Sequence, residues 1–574
     1  MANEYFVNSD DLIAVASAIR EKGGTEDSLV FPDEFVTAIQ EIRSGGGGAV
    51  EEFVRFYDYD GTLLYTYTLS EAKKLTSFPD GPAHPGLIFD GWNYTIEKMK
   101  NLTTGRNIGA LYSTDDGATR IYIHLEEGRT SPMLGICPNG TVTVNWGDGT
   151  NSDVLTGTSL TTVAWTPTHN YASPGDYVIR LIVDGEAQLY GYISYNQRFP
   201  NILTKKIPIS SVENIVYRKA IRKVEIGSRV SIGDYAFSAC TFLSSITIPN
   251  GVTSIGQSAF YNCSSLSSIT IPDGETSIRD YTFYDCCSLS SITIPDSLIS
   301  IGLRAFSNCT SLSSITIPDR VTSIGQYAFD SCYSLPSITI PNGVTSISQY
   351  TFDSCRSLSS VIIPNGVTSI GDYAFSSCDA LSSITIPDGV TSIGLRAFNY
   401  CVSLLSITIP DGVTKIGDYA FSNCTSLSSI TIPNGVTSIG QSAFYNCTSL
   451  SSITIPNGVT SISKSAFDSC VSLLSITIPD GLTKIGQSAF YDCYSLSSIT
   501  IPDGVTSIEK YTFYECYGMK YYDFTSHQAV PTLSNKNVFN SISSDCEIRV
   551  PAALANEWKA ATNWATYANY IVGV

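Results

Sequence analysis

The sequence predicts a multi-domain, mainly β chain with short helices, dominated by a repeat solenoid over residues 201–522. Three observations carry this. Phe recurs at 237, 260, 283, 306, 329, 352, 375, 398, 421, 444, 467, 490 and 513, always 23 residues apart. Cys follows each Phe by three residues, from Cys240 to Cys516. Apolar residues make up 43% of 574 residues and charged ones 15%, so most of the chain can fold, and it is too long for one ordinary core.

Each unit reads like Ala374 to Gly394, AFSSCDALSSITIPDGVTSIG. Leu-x-x-Ile-x-Ile alternates apolar and polar residues, as a half-buried strand does. Pro-Asp-Gly or Pro-Asn-Gly follows as a turn, since Pro presets φ and Gly accepts positive φ. Val-x-x-Ile forms a second short segment. Ala-Phe-x-x-Cys places its apolar residues at helical spacing, and one turn of helix is expected there. Ordering 23 residues costs about 1–2 kcal/mol apiece in backbone entropy, so a coil folds only against neighbours that bury both its faces. At about 4.8 Å per strand spacing the Phe-bearing coils make a rod roughly 60 Å long.

The net charge is −19 with no basic patch, which argues against nucleic acid and anionic membranes as partners. No run approaches the roughly 18 apolar residues of a membrane span. The N-terminal MANEYFVNSDDLIAVASAIREK lacks a basic segment followed by an apolar one, and NYIVGV carries no anchor. Synthesis in the cytoplasm without signal-peptide export is expected.

The 16 Cys are a ladder plus Cys137, Cys287 and Cys546. The ladder reads as a column of small buried side chains. Zinc favours Cys pairs two to four apart plus His, and only Cys286 and Cys287 are close, being adjacent. Parallel Cβ atoms about 4.8 Å apart exceed the roughly 3.5–4.5 Å of a disulfide. Free thiols are expected.

Upstream, residues 1–44 hold two amphipathic helices, the first capped by Ser9 and the second begun by Pro32, suited to attachment. Residues 45–49 are a Gly linker. Residues 50–113 alternate around Asp60-Gly61, as a hairpin does. Residues 114–200 carry TVTVNWGDGT and THNYASPGDYVIRLIV. Ile221 to Ile232 reads as a shortened opening coil, and residues 523–574 as a C-terminal cap with a closing helix from Pro551 to Trp558 and Trp564.

The nearly verbatim Leu-x-x-Ile-x-Ile-Pro-x-Gly-Val-x-x-Ile-Gly resembles the BspA-type leucine-rich repeat family. Departures are Glu275 for Val, Ser297 and Arg320 for the turn Gly, and Ile362 for the strand Thr. Residues 50–113 resemble small β-grasp modules such as the internalin B-repeat, through Phe-x-x-x-x-Gly-Thr and Phe-Asp-Gly-Trp. Residues 114–200 resemble a PKD-type β-sandwich, through Trp146-Gly147-Asp148-Gly149, His169-Asn170-Tyr171 and Gly175-Asp176-Tyr177. The order helix pair, β-grasp, PKD-like, solenoid resembles tail-associated structural proteins of bacteriophages. It implies a virion location, attachment to other tail proteins through residues 1–44, and room for homo-oligomerisation.

No catalytic residue, metal site or cofactor is expected. His84, His124, His169 and His527 are scattered and none lies in the repeats. Calcium at Asp148 and Asp153 is weighed against Asp148 bonding its own turn, and the turn reading prevails because calcium wants six to eight oxygens. Core positions barely change between copies, whereas −3, −2, +1, +2 and +4 from Phe vary. Tyr recurs there: Tyr235, Tyr281, Tyr327, Tyr350, Tyr373 and Tyr419 at −2, and Tyr261, Tyr284, Tyr445, Tyr491 and Tyr514 at +1. This stripe reads either as a binding surface for a bacterial cell-surface glycan or protein, or as drift with Tyr packing along the outer face. The functional expectations are a non-catalytic adhesin on a phage tail, a virion stalk or decoration protein without ligand, or an exported bacterial surface adhesin.

Overall fold

The computed structural model describes residues 53–574 except 103–104, 128–131, 133, 167, 191–217 and 253. The helical pair expected over 1–44 and the 45–49 linker lie outside the described residues. From Val54 onward the chain is one compact unit, mainly β.

The first module is a four-stranded sheet of β1 (Phe53–Tyr57), β2 (Leu63–Thr68), β3 (Leu87–Trp92) and β4 (Arg106–Thr114), in the order β2-β1-β4-β3. The expected turn is present: Asp58 N–H donates to Thr62 O and Gly61 takes φ +91°. Two short helices, α1 (Leu69–Ala72) and α2 (Ile96–Lys100), accompany it. Its core is separate and aromatic, with Phe56 edge-on to Trp92 at 4.9 Å and to Phe78 at 5.4 Å.

Next come β5 (Thr119–Leu125), β6 (Gly135–Asn145), β7 (Asp153–Thr158), β8 (Ala164–Trp165) and β9 (Gly175–Leu189). Long β6 and β9 pair antiparallel, and Gly140 faces Gly185 in register, both at positive φ. A Cβ on either would fall 2.2–2.3 Å from a carbonyl oxygen of the other strand, so only Gly allows this close passage. On one side of the glycines the ribbon pairs β7 and β5. On the other it pairs β8 and β11 (Val230–Ile232).

This sheet does not end where the solenoid starts. The opening-coil strand β10 (Ile221–Glu225) is antiparallel to β5 and parallel to β12 (Ser245–Thr247), the strand of the first Phe-bearing coil. One apolar core therefore runs from Ile121 to Ile571 without interruption. The sheet supplies the N-terminal cap that a stack of identical coils requires.

Each coil carries a strand such as Ser383–Thr385 and a shorter one such as Ser392–Ile393, paired in parallel with their counterparts 23 residues away. The Ala-Phe-x-x-Cys segment differs from expectation: it is not a helical turn. Residues at −2 and +2 from Phe are left-handed, as Tyr373 (φ 56°) and Ser377 (φ 55°) are. Two left-handed residues flanking Phe reproduce the i, i+3 spacing of a helix while turning alternate N–H groups outward along the stack. Tyr373, Phe375 and Ser377 N–H donate to Leu395, Ala397 and Asn399 O of the next coil at 2.7–2.8 Å. Ala374, Ser376 and Cys378 N–H close local i→i−3 bonds. All backbone donors of the corner are thus used.

The register stacks identical side chains. Phe rings lie nearly parallel from Phe237 to Phe513, with centroids 5.4–5.6 Å apart. Phe539 extends the column into the C-terminal cap at 5.5 Å from Phe513. There Tyr521–Asp523, Glu547–Val550 and Ile571–Gly573 continue the sheet, and helix α3 (Ala555–Ala560) buries Trp558 against Trp564 at 4.5 Å. Trp564 Nε1 donates to Pro531 O at 2.7 Å, so the buried indole is satisfied.

Phe375→Ala should cost about 3–5 kcal/mol, the range for truncating a buried aromatic. Hydrogen exchange should lose protection in the coils of Phe352 and Phe398 as well, because each coil is held only by its neighbours. Native protection in both flanking coils would contradict the stacked-ring account.

Candidate functional site

The Cys ladder acts in the core. From Cys263 to Cys516 each Sγ–H donates to the Phe carbonyl of the preceding coil, for example Cys401 to Phe375 O at 3.2 Å and Cys424 to Phe398 O at 3.1 Å. A small apolar residue with one weak donor fits that point. The ladder thiols are buried and free. Burial pushes their pKa up, to about 12 at Cys447, so they are poor nucleophiles and poor metal ligands in the fold.

Outside the repeats, three of the four His each meet one carboxylate: His84 with Asp58, His124 with Asp176 and His169 with Asp148, at 2.7–2.8 Å. Trp146 is buried and stacks on His169 at 4.6 Å. Asp148 accepts from Thr150 and His169, which draw its carboxyl down to about 2 against the opposing effect of burial, and Asp153 accepts from Trp146 Nε1. These carboxylates act in local hydrogen bonds. His527 lies buried against Phe524 and Trp558, and burial lowers its pKa.

The strand hydroxyls have two environments. The first module folds back on the coils from Ser268 to Ser314. Ser268 Oγ–H donates to Tyr59 O at 3.3 Å and Asn107 Nδ2 donates to Ser314 Oγ at 3.0 Å. Gly109 lies so close that a Cβ there would meet Thr270 and Thr293 Oγ1 at 2.3 and 2.4 Å. Arg106 pairs with Asp296 and donates to Ile294 O, and Lys98 approaches Asp296 at 3.5 Å. The turn position is Asp in three consecutive coils here, Asp273, Asp296 and Asp319, and in no other three. Cations from the module offset that like-charge column. A groove of about 520 Å³ remains between module and coils, lined in part by Tyr94, Lys98, Ser297 and Arg320, so both departures at the turn Gly fall on it. From Ser337 to Thr477 the same strand face is exposed.

The Tyr stripe lies on the outer corner beside the Phe column. The −2 residues Tyr235, Tyr281, Tyr327, Tyr350, Tyr373 and Tyr419 all sit at φ 55–58°. Tyr327, Tyr350 and Tyr373 stack face to face at 4.4 Å. Arg304 covers Tyr327 at 4.0 Å, and Arg396 bridges Tyr373 and Tyr419 at 5.5 and 4.7 Å. In the +1 column Tyr261 stacks on Tyr284 and Tyr491 on Tyr514, each at 4.9 Å, whereas Tyr445 lies between Ser422 and Asp468. Tyr281 meets Tyr284 across the columns at 5.8 Å. Their ring faces are therefore engaged with one another in the stacked stretches. What these rings present outward is their edges and hydroxyls. Burial and the neighbouring phenols push Tyr350 up to about 12. Tyr235 lies apart, at the first coil, beside Ser258.

Sequence reasoning missed a local pattern at the C-terminal end. The two last Phe coils carry Tyr-Asp-Cys-Tyr (491–494) and Tyr-Glu-Cys-Tyr (514–517), and no earlier coil has this combination. Comparing +1, +2 and +4 jointly, rather than column by column, would have found it.

A stack of parallel strands with a Leu/Ile core and Phe–Cys corners defines a repeat solenoid of the leucine-rich kind, whose accessible chemistry is a surface. The BspA type leucine rich repeat profile matches residues 210–286, 276–405 and 391–520, and the chain belongs to that family. A crystallised leucine-rich repeat protein from Bacteroides ovatus is 30% identical, with 68% of this chain and 96% of that one covered at a TM-score of 0.55. A leucine rich cell surface protein from Faecalibacterium prausnitzii is 31% identical over 64% of this chain and 96% of its own, at a TM-score of 0.37. The T. pallidum leucine rich repeat protein is 30% identical over 34% and 78%, at a TM-score of 0.24. Comparison with curated proteins finds no match.

Without denaturant, a disulfide-exchange reagent should leave the buried ladder thiols unreacted. In denaturant without reductant nearly all 16 Cys should titrate as thiols. A large disulfide-blocked fraction would contradict the carbonyl-bonded ladder.

Proposed function

We propose that this chain is a non-catalytic adhesin, a rigid rod that presents its outer turns to a bacterial cell-surface glycan or protein and is carried on a bacteriophage tail. One observation carries the binding reading. Phe, Cys, Leu and Ile columns are nearly invariant, whereas the positions beside Phe vary, and there Tyr and Arg are half-buried or exposed while Ser at −2 and +1 is buried. Weak contacts repeated along a rod gain avidity without any strong single site. Among the described residues no group of three or more His, Cys, Asp or Glu side chains is placed to hold a metal, and no helix is long and apolar enough to cross a membrane.

The carrier reading rests on domain order. In it, residues 1–44 attach to other tail proteins, and the strand-rich segments 50–113 and 114–200 are β-grasp and PKD-like spacers before the solenoid. A second reading is an exported adhesin on a bacterial surface. It is favoured by the Bacteroides ovatus relative, a protein of a bacterium with the same fold. Antibody labelling of intact particles and of cells separates the two carriers.

Replacing Tyr327, Tyr350 and Tyr373 together by Ser should weaken cell binding more than tenfold, a change of about 1.4 kcal/mol. The fold accepts this, because Ser258, Ser442, Ser465 and Ser488 occupy the same position at φ 51–54°. The thermal transition should hardly move. Replacing the exposed Thr339, Thr385 and Thr408 by Val is the control. If the Thr set abolishes binding and the Tyr set does nothing, recognition belongs to the strand face.

A further inference from the structure

The groove between the first module and the coils lies where the repeat breaks its own pattern. Ten of the twelve turns after Pro carry Gly at +14 from Phe, and the two that do not, Ser297 and Arg320, are consecutive and both line the groove. The stack favours Gly at this point. A Cβ at Gly343, Gly389 or Gly412 would stand 3.0–3.2 Å from a carbonyl oxygen of the preceding coil. Ser297 works within the stack: its Oγ accepts from Gly274 N–H at 3.1 Å and donates to Glu275 O at 2.7 Å. Arg320 does not. It is exposed, and no hydrogen bond or ion pair reaches its side chain among the described residues.

The groove carries balanced charge. Lys98, Arg106 and Arg320 line it together with Asp273, Asp296 and Asp319. Arg106 is buried and already bonded to Asp296 and Ile294 O, and Lys98 lies 3.5 Å from Asp296. The exposed Arg320, Asp273 and Asp319 remain as open donors and acceptors. The apolar lining, Tyr94, Leu102 and Ile317, is buried or half-buried. Balanced charge disfavours a simple anion or cation, and a polar accessible wall disfavours an apolar ligand.

We propose that this groove binds a neutral disaccharide, with Arg320 donating to one pair of adjacent hydroxyls and Asp273 and Asp319 accepting from others. Each sugar hydroxyl both donates and accepts, so it meets cations and carboxylates of one site without a charge of its own. The two terminal nitrogens of a guanidinium, like the two oxygens of a carboxylate, form a fork that bonds two neighbouring oxygens at once. The volume of about 520 Å³ lies within the roughly 300–1,000 Å³ of small-molecule sites. The groove shares no residue with the Tyr stripe, so this site stands apart from the outer turns.

Calorimetric titration of the full chain with maltose, cellobiose, lactose and N,N′-diacetylchitobiose tests this, with glycine and sodium sulfate as zwitterionic and anionic comparisons. Saturable binding of at least one disaccharide is expected, tighter than either comparison. Arg320→Gly should weaken it at least tenfold. That variant restores the residue of ten other coils, so the fold is not at risk. Thr385→Val, on the exposed strand face, should bind as the parent does. Absence of saturable heat from all four disaccharides would overturn the proposal. So would tighter binding of glycine or sulfate, or Arg320→Gly binding as tightly as the parent. Soluble sugars read this groove and the Tyr variant on whole cells reads the outer turns, so either proposal can fail alone.

Discussion

Every feature of the rod depends on one constraint: alternate N–H groups of the Phe corner donate to the next coil, which locks each coil to its neighbour 23 residues away. The left-handed residues at −2 and +2 make those bonds possible. Each costs on the order of 1 kcal/mol when it is not Gly, and the inter-coil bonds and buried Phe column offset it. Once the register is set, composition has no freedom at the core. Phe must meet Phe, and the Phe carbonyl must meet a donor small enough to be buried, which Cys provides.

The same constraint makes both ends demanding. A coil's open face exposes the Phe column and a ladder of backbone groups. The N-terminal face is closed by a sheet whose strand β5 pairs with β10, so cap and rod share one core. The C-terminal face is closed by Trp558, Trp564 and Tyr567 over Phe539. Stacking identical residues also stacks identical charges. The module's Arg106 and Lys98 meet that problem at Asp296, the middle of the column Asp273, Asp296 and Asp319, and no ion pair among the described residues meets it at Asp492 and Glu515.

The rod was legible in the sequence because a strict period projects the core directly. Leu381, Ile384, Ile386, Val390 and Ile393 are buried as their alternation implies, and Ser383 and Thr385 are exposed. Other features were not legible. The corner mimics helical spacing, since positive φ at Tyr373 and Ser377 leaves no signature in residue type. Phe539 follows Phe513 by 26 residues, outside the period. The fold-back of the first module depends on long-range contacts such as Asn107 to Ser314, which no local pattern encodes. The Tyr recurrence was visible in the sequence, but the mutual stacking of those rings follows from three-dimensional register. At the candidate surface this stacking leaves edges, hydroxyls and the few exposed rings outward.

A rod built this way is modular in length, and the chemistry of its surface is separable from the stability of its core. Small-angle X-ray scattering on chains lacking one, two or three internal coils tests that claim most directly, beginning with removal of Phe398 to Ala420. The account predicts folded rods whose longest dimension falls by about 4.8 Å for each coil removed. Scattering from expanded or aggregated chains after loss of a single interior coil would contradict it.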